Sequence, residues 1–439
     1  MNTRSHLLRG FVCALALSFV SLTHAQSYEV KPNAPEFEKF LAIQAPAAPT
    51  KLLLKKGNKL AIVGDSITEQ KMYSRIMETY LTVCTPELGI TVRQYGWSGE
   101  RASGFIKRIT NDCLRFHPDV ATTCYGMNDH RYVPYTDEIG ADYRANSLAI
   151  IRSFKANGVR MIHGSPGPVG KMPSWVKTAT GTVEDLNLSL LKLRNMGIEM
   201  AKDEHVGFAD VYWPMFTGGY FAQKKYGPDF MIAGKDGVHP GWAGQVVMAY
   251  AFLKAMGLDG DIGTFTVDLK KDKATTSMGH DFISGANGEF TFKSTRYPFC
   301  GTGAENLDGS IRAGMTVVPF NEDLNRLMLV AKGGKSKQYK VTWGTESHTY
   351  TKEQLAKGVN LAADFVTNPF SDAFKKVDDA VLAKQSFETQ QIKKDFRSAE
   401  AKKDMEAVVA KTEAQRTPLA EKIKTVFVPV THTIKIVAE

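Results

Sequence analysis

Between residues 59 and 258 the chain alternates short β-branched runs with stretches whose apolar residues recur at helical spacing. No other feature constrains the fold as strongly. Strands that alternate with helices must cross over and pair in parallel, with helices covering both faces of the sheet. Strands are expected over residues 60–63, 90–95, 120–125, 160–163 and 206–211, and helices over 69–81, 102–114, 139–156, 183–202 and 241–256. Five such units predict an α/β fold, a doubly wound three-layer α/β/α sandwich. Function in this architecture gathers in the loops that leave the carboxyl ends of the strands.

Four of those loops carry residues with chemistry. The first strand runs into Gly64-Asp65-Ser66 and then a helix, which puts the Ser66 hydroxyl at the carboxyl edge of the sheet. Asp and Ser also cap helices well, so the tripeptide alone reads equally as an N-cap. After the second strand comes Gly96-Trp97-Ser98-Gly99-Glu100-Arg101, where a glycine lets a backbone N–H approach a substrate oxygen. After the third comes Gly126-Met127-Asn128-Asp129, whose Asn amide can donate to the same oxygen. Before the last helix stands Asp236-Gly237-Val238-His239-Pro240. Separately these are a turn glycine, an Asx turn and a loop histidine. Their order, each at the end of an expected strand or the start of the last helix, argues against coincidence.

Together the four blocks resemble those of the SGNH, or GDSL-type, hydrolase and esterase family: a GDS serine, a glycine, a G-x-N-D asparagine and a D-x-x-H pair. The match spans residues 59–258 without a departure in the key residues. The resemblance implies a flavodoxin-like parallel sheet, Ser66 as nucleophile, Asp236 and His239 as its triad partners, and an oxyanion hole made by Ser66, Gly99 and Asn128. Gly96 rivals Gly99 for the block glycine; the Ser98-Gly99-Glu100 context favours Gly99. No cofactor and no metal are implied.

The residue types suit that chemistry. A serine hydroxyl is a poor nucleophile until a neighbouring base takes its proton, and histidine, as a side chain that titrates near neutrality, can take and return it. An Asp three residues before the His is close enough to orient the imidazole. No G-x-S-x-G elbow and no H-E-x-x-H pattern occurs in the chain. Three further residues are weighed. His130 and Trp97 are possible substrate contacts, and for Trp97 simple packing is at least as good an account. His163 reads better as a packed or capping histidine than as a site residue.

The rest of the chain frames this unit. Arg4 and Arg9, an apolar run over residues 11–22, and Thr23-His24-Ala25 before Gln26 read as a secretory signal peptide over residues 1–25, so export to the periplasm or beyond is expected. The apolar run is too short to span a bilayer comfortably, and no other stretch is a candidate. Loss of Arg4 and Arg9 with that segment takes the formal charge from +9 to +7. Cys84, Cys113, Cys124 and Cys300 then stay behind; they can pair in three ways or stay as buried thiols. Residues 26–58 are a leader segment, 259–370 a β-rich accessory region with strands over 264–269, 288–294, 327–331 and 339–343. Residues 371–439 are a helical hairpin with a terminal strand. Between positions 371 and 424 stand 12 Lys plus Arg and 10 Asp plus Glu, a balance that predicts a solvated hairpin rather than a nucleic-acid arm.

Relatives in the family act on lipids, thioesters and acetylated carbohydrates. An exported chain with an added β-rich region points to a small-molecule or glycan ester, and carbohydrate O-acetyl hydrolysis is the leading expectation. Lipid or aryl ester hydrolysis is the alternative, and a non-catalytic glycan-binding module the alternative of another class.

Overall fold

In the computed structural model of this chain the described residues are 26–439; the expected signal peptide lies outside them. Five strands, β1 (Lys59–Gly64), β2 (Thr91–Gln94), β3 (Val120–Cys124), β4 (Arg160–Gly164) and β5 (Gly207–Ala209), form one parallel sheet in the order β2-β1-β3-β4-β5. Leu60 of β1 pairs with Val92 on one side and Val120 on the other. The order reverses between β1 and β3, so the loops after these two strands open a crevice at the carboxyl edge. Helices α1 (Ser66–Glu69), α2 (Tyr73–Val83), α3 (Ala102–Arg108), α4 (Asp137–Ala156), α5 (Val183–Asp203), α6 (Tyr212–Tyr226) and α7 (Trp242–Ala255) cover the two faces. The fold is the expected three-layer α/β/α sandwich with a flavodoxin-like strand order.

The expected helix over 69–81 is broken. Lys71 takes a left-handed φ of 56° between α1 and α2, which frees α1 to carry Ser66 at its start. The expected helix over 102–114 also divides, α3 passing into a π-type turn at Ile109–Cys113. Helix α6, absent from the expected elements, carries Gly218-Gly219. Here each glycine lets another segment close in: a Cβ on Gly218 would lie 2.5 Å from Val317, and one on Gly219 2.5 Å from Ile232.

Beyond residue 260 stand β6 (Asp261–Asp268), β7 (Lys273–Thr276), β8 (His280–Ala286), β9 (Glu289–Ser294), β10 (Arg326–Lys332), β11 (Gln338–Trp343), β12 (Glu346–Thr351), β13 (Val359–Asn360) and β14 (Val430–Ala438). They make a four-stranded sheet, β13-β10-β6-β7, and a five-stranded sheet, β12-β11-β14-β9-β8. Helices α8 (Ile311–Val317), α9 (Phe320–Leu324), α10 (Lys352–Lys357) and α11 (Leu361–Asp364) connect them, and α12 (Ser371–Lys393), α13 (Ala399–Lys403) and α14 (Met405–Val426) follow. Strand β14 pairs with both β9 and β11, so the last residues of the chain lie inside a sheet begun almost 150 residues earlier. Residues 259–370 and 371–439 therefore share one sheet.

The solvated hairpin is a correction. Helix α12 packs on α2 and along the free edge of β2, and Lys384, Gln385, Glu388 and Gln391 are all buried. The near balance of charge has a different cause: Lys384 lies 2.9 Å from both Glu78 and Glu388, and Arg416 of α14 lies 2.6 Å from Glu388. Net composition cannot distinguish charges that face water from charges that neutralise one another. The cysteines are settled too: Cys84, Cys113, Cys124 and Cys300 are free and buried. Among the described residues no helix is long and apolar enough to cross a membrane.

Candidate active site

The site is assembled at the carboxyl edge of β1 and β3. Asp65 caps α1, its Oδ1 accepting the Ile67 N–H at 2.9 Å, and this holds Ser66 as the first residue of the helix with its side chain partly exposed. The loop before α7 brings His239 onto it: His239 Nε2 lies 2.9 Å from Ser66 Oγ. On the far side of the imidazole, Nδ1 lies 2.6 Å from Asp236 Oδ2. The other oxygen of Asp236 accepts the Val238 and His239 N–H groups, each at 2.9 Å. Burial raises the Asp236 pKa, but the His239 and Val238 donors outweigh it and hold the carboxyl below its ordinary value. The result is an ionised carboxylate, an imidazole oriented by it, and a hydroxyl within reach of that imidazole. This is the geometry a serine needs to lose its proton as it attacks.

The geometry separates the rival glycines. Gly96 spends its N–H on Gln94 Oε1 at 2.7 Å, and a Cβ there would sit 2.2 Å from the Glu69 nitrogen; it is glycine so that the loop can lie on α1. Gly99 has a φ of 72°, open space where a Cβ would project, and an N–H with no partner among the described residues. Only Gly99 has a donor to offer. Asn128 Nδ2 donates to Glu100 O at 3.1 Å, which leaves its second hydrogen available, and Asn128 Oδ1 accepts the Tyr132 hydroxyl at 3.1 Å. Those two contacts settle which end of the amide faces which way.

The loops are tied together underneath. Asp129 accepts from Ala102 N and Gly126 N, both at 3.0 Å, and joins the second block to the third; burial lifts its pKa to about 6. Glu100 takes Arg108 through Nε and Nη2, both at 2.6 Å, and the Tyr125 hydroxyl at 2.6 Å. All of these groups are buried, so the contacts fix the loop that bears Gly99.

Packing accounts for both residues weighed as substrate contacts. His130 is fully buried: its Nδ1 donates to Met127 O, its ring lies 4.6 Å from that of Tyr132, and burial lowers its pKa to about 4, so it is a neutral core residue. Trp97 is half-buried beneath cations, with Arg108 at 5.1 Å, Lys393 at 5.4 Å and Arg397 at 5.1 Å from its ring centre. It is a packing residue that joins the loop to the C-terminal helices. His163, bonded to Thr123 and Tyr143 at 3.2 Å each, is a packed core histidine. Among the described residues no three or more His, Cys, Asp or Glu side chains gather as a metal site. The sequence reading passed over Tyr132, Trp175 and Glu69. Of these only Glu69 left a signal, as an acid three residues after the serine.

One solved structure shares this architecture over most of the chain. A gut microbial diltiazem-metabolizing enzyme superposes with a TM-score of 0.72 at 22% identity, over 90% of this chain and 100% of its own. At that identity the likeness speaks for the fold, and it extends through the C-terminal sheets. A catalytic mutant of an acetylxylan esterase from Geobacillus stearothermophilus matches 47% of this chain and 97% of its own, with 22% identity and a TM-score of 0.40. No curated protein matches the chain. Residues 62–247 match the model of the GDSL-like Lipase/Acylhydrolase family, a span that holds Ser66, Gly99, Asn128, Asp236 and His239.

Proposed function

We propose that the protein is an exported serine esterase that removes small acyl groups, acetyl above all, from carbohydrate. The observation that carries the reading is the unbroken chain of contacts from Ser66 Oγ to His239 Nε2 at 2.9 Å and from His239 Nδ1 to Asp236 Oδ2 at 2.6 Å. In this reading Ser66 Oγ attacks the ester carbonyl carbon as His239 takes its proton. The carbonyl oxygen becomes an oxyanion that meets the Ser66 N–H, the Gly99 N–H and the Asn128 amide. His239 returns the proton to the departing alcohol oxygen, leaving an acyl group on Ser66 that water, activated by the same imidazole, then releases. Asp236 stays ionised throughout and steadies the imidazolium. Export rests on the character of residues 1–25.

Aryl or other small-molecule esters are the second reading, favoured by the open aromatic face of Trp175 beside His239. The test is a series of acetyl, butyryl and long-chain esters, with labelling by a fluorophosphonate and Ser66→Ala as control. Acetyl esters should be turned over fastest, and labelling should require Ser66. Rates that climb with chain length overturn the acetyl preference in favour of lipid esters. A wild type neither labelled nor active on any ester makes the chain a non-catalytic binding module.

A further inference from the structure

Trp175 lies outside all four sequence blocks and is 48% exposed. The segment that carries it, between β4 and α5, is nevertheless pinned at both ends. Gly170 N donates to Gly237 O at 2.8 Å, beside Asp236, and Thr180 N donates to Tyr132 O at 3.1 Å, just beyond Asn128. Val169 is held in both directions by the Asn187 amide, at 2.9 Å each way. Between these anchors Val176 N bonds Pro173 O at 3.0 Å and Ala179 N bonds Val176 O at 3.1 Å, folding tight turns around the indole. The ring centre stands 5.7 Å from that of His239, inclined by 32°, and 5.7 Å from that of Tyr132, edge-on at 71°. A large aromatic held this firmly at the surface has its conformational cost already met, which is what a binding platform requires.

Its position selects the part of the substrate it meets. The base must hand a proton to the leaving oxygen, so the alcohol half of an ester lies on the His239 side while the acyl half lies at Ser66 and the oxyanion donors. We propose that Trp175 is the wall of a subsite for the alcohol half, and that this alcohol is a pyranose whose C–H face lies on the indole. The inference rests on the esterase reading of Ser66, His239 and Asp236. A sugar suits the surroundings better than a plain aromatic ring, because Ser174, Lys177, Thr178 and Thr180 on the same loop are all exposed. Exposed hydroxyl and ammonium groups on the loop that carries the indole match a ligand with an apolar face and a polar rim.

The experiment compares three acetyl esters that share an acyl group and differ in the alcohol: an acetylated methyl pyranoside, phenyl acetate and ethyl acetate. Each is assayed with wild type, Trp175→Ala and Trp175→Phe. In Trp175→Ala the kcat/KM for the pyranoside should fall about tenfold relative to that for ethyl acetate, chiefly through KM, and Trp175→Phe should restore most of the ratio. Equal losses on all three esters make Trp175 a structural support for His239 and overturn the subsite. A loss confined to phenyl acetate overturns the pyranose assignment. A wild type that turns over none of the three overturns the esterase reading itself, and the subsite with it.

Discussion

Lys393 reaches back across 324 positions of the chain to Glu69, its Nζ 2.7 and 2.8 Å from the two carboxylate oxygens. Glu69 in turn accepts both the N–H and the hydroxyl of Ser98, the residue before Gly99. The end of α12 thus acts on the loop that bears the proposed oxyanion donor, through one carboxylate three residues beyond Ser66. Burial raises the Glu69 pKa, but Lys393 and Ser98 outweigh it and keep the group ionised. The C-terminal region is therefore joined to the catalytic loop by a specific contact as well as by packing.

Lys393→Met is accordingly expected to lower kcat about tenfold while moving stability little. Freeing Glu69 loosens Ser98 and the Gly99 N–H without removing any donor, so the loss should stay below the hundredfold or more that deleting an oxyanion donor costs. The pair is partly exposed, so its contribution to stability is on the order of 1 kcal/mol or less. Steady-state kinetics beside a thermal melt checks both. Unchanged kcat, or a fall in Tm as large as a core defect would cause, contradicts the role given to Lys393.

Tyr132 is expected to act on Asn128. Arg131 and Tyr132 both take left-handed φ values, 57° and 58°, which no glycine relieves. Consecutive non-glycine residues in that region are costly and persist where the surroundings hold them. Here the twist carries the Tyr132 hydroxyl onto Asn128 Oδ1. Tyr132→Phe keeps the ring against Trp175 but lets the amide turn, and should lower kcat roughly tenfold with KM nearly constant. Asn128→Ala should cost about a hundredfold or more. If the Phe variant matches wild type, the amide is held by Glu100 O alone.

Most of what places the site was legible in the sequence, because hydrophobic period and loop chemistry are local. All five strands of the first sheet appear where the β-branched runs lie, and Ser66, Asp236 and His239 meet as the family resemblance implies. Sequence context favours Gly99 over Gly96, and the physical reason, which N–H is already bonded, is visible only in the fold. The other omissions are contacts between distant segments. Glu69 and Lys393, or Trp175 and His239, become neighbours only once α12 packs on α2 and β2 and the loop after β4 folds back. His130 was misjudged for a similar reason: a histidine beside a motif residue can face either way, and the turn at Arg131 and Tyr132 buries it.

Asp65 should make stability fall as pH rises. Burial lifts its pKa from 3.8 to about 7, with Asp129 and Glu100 adding repulsion against the Ile67 N–H that favours the charged form. The folded state therefore holds a proton that the unfolded chain releases near pH 4. Between about pH 4 and pH 7 the native state binds more protons, and stability from this group declines across that window and is level above it. Asp65→Asn keeps an N-cap acceptor and abolishes the titration. It should raise stability at pH 8 by up to roughly 4 kcal/mol and have little effect at pH 4. Melting curves of both proteins at several pH values test this; a difference that stays constant from pH 4 to 8 refutes it.

Lys384 should be among the costliest side chains to remove. Its ammonium is almost wholly buried between Glu78 and Glu388, at 2.9 Å from each, and also donates to Val92 O on the free edge of β2. Glu388 further accepts from Gln94 N at 3.1 Å, and Arg416 lies 2.6 Å away. Burial pulls the Glu388 pKa up, but Lys384 and Arg416 outweigh it and leave it below the ordinary value, whereas for Glu78 burial prevails. Lys384→Met would remove the cation that two buried carboxylates share, leaving Glu388 and Val92 O to Arg416 and Glu78 to the Gln385 amide, a loss of about 3–5 kcal/mol in urea denaturation at neutral pH. Glu78 should respond by taking up a proton, since its affinity is already raised, so adding Glu78→Gln to Lys384→Met should recover part of the loss. Because Glu388 is held ionised by its partners, its contribution is present above its unfolded pKa and fades as pH falls through the lower folded one. The single variant should thus approach wild-type stability toward acid. A loss under about 1 kcal/mol, or no recovery in the double variant, would mean that α12 is held to β2 by apolar packing alone.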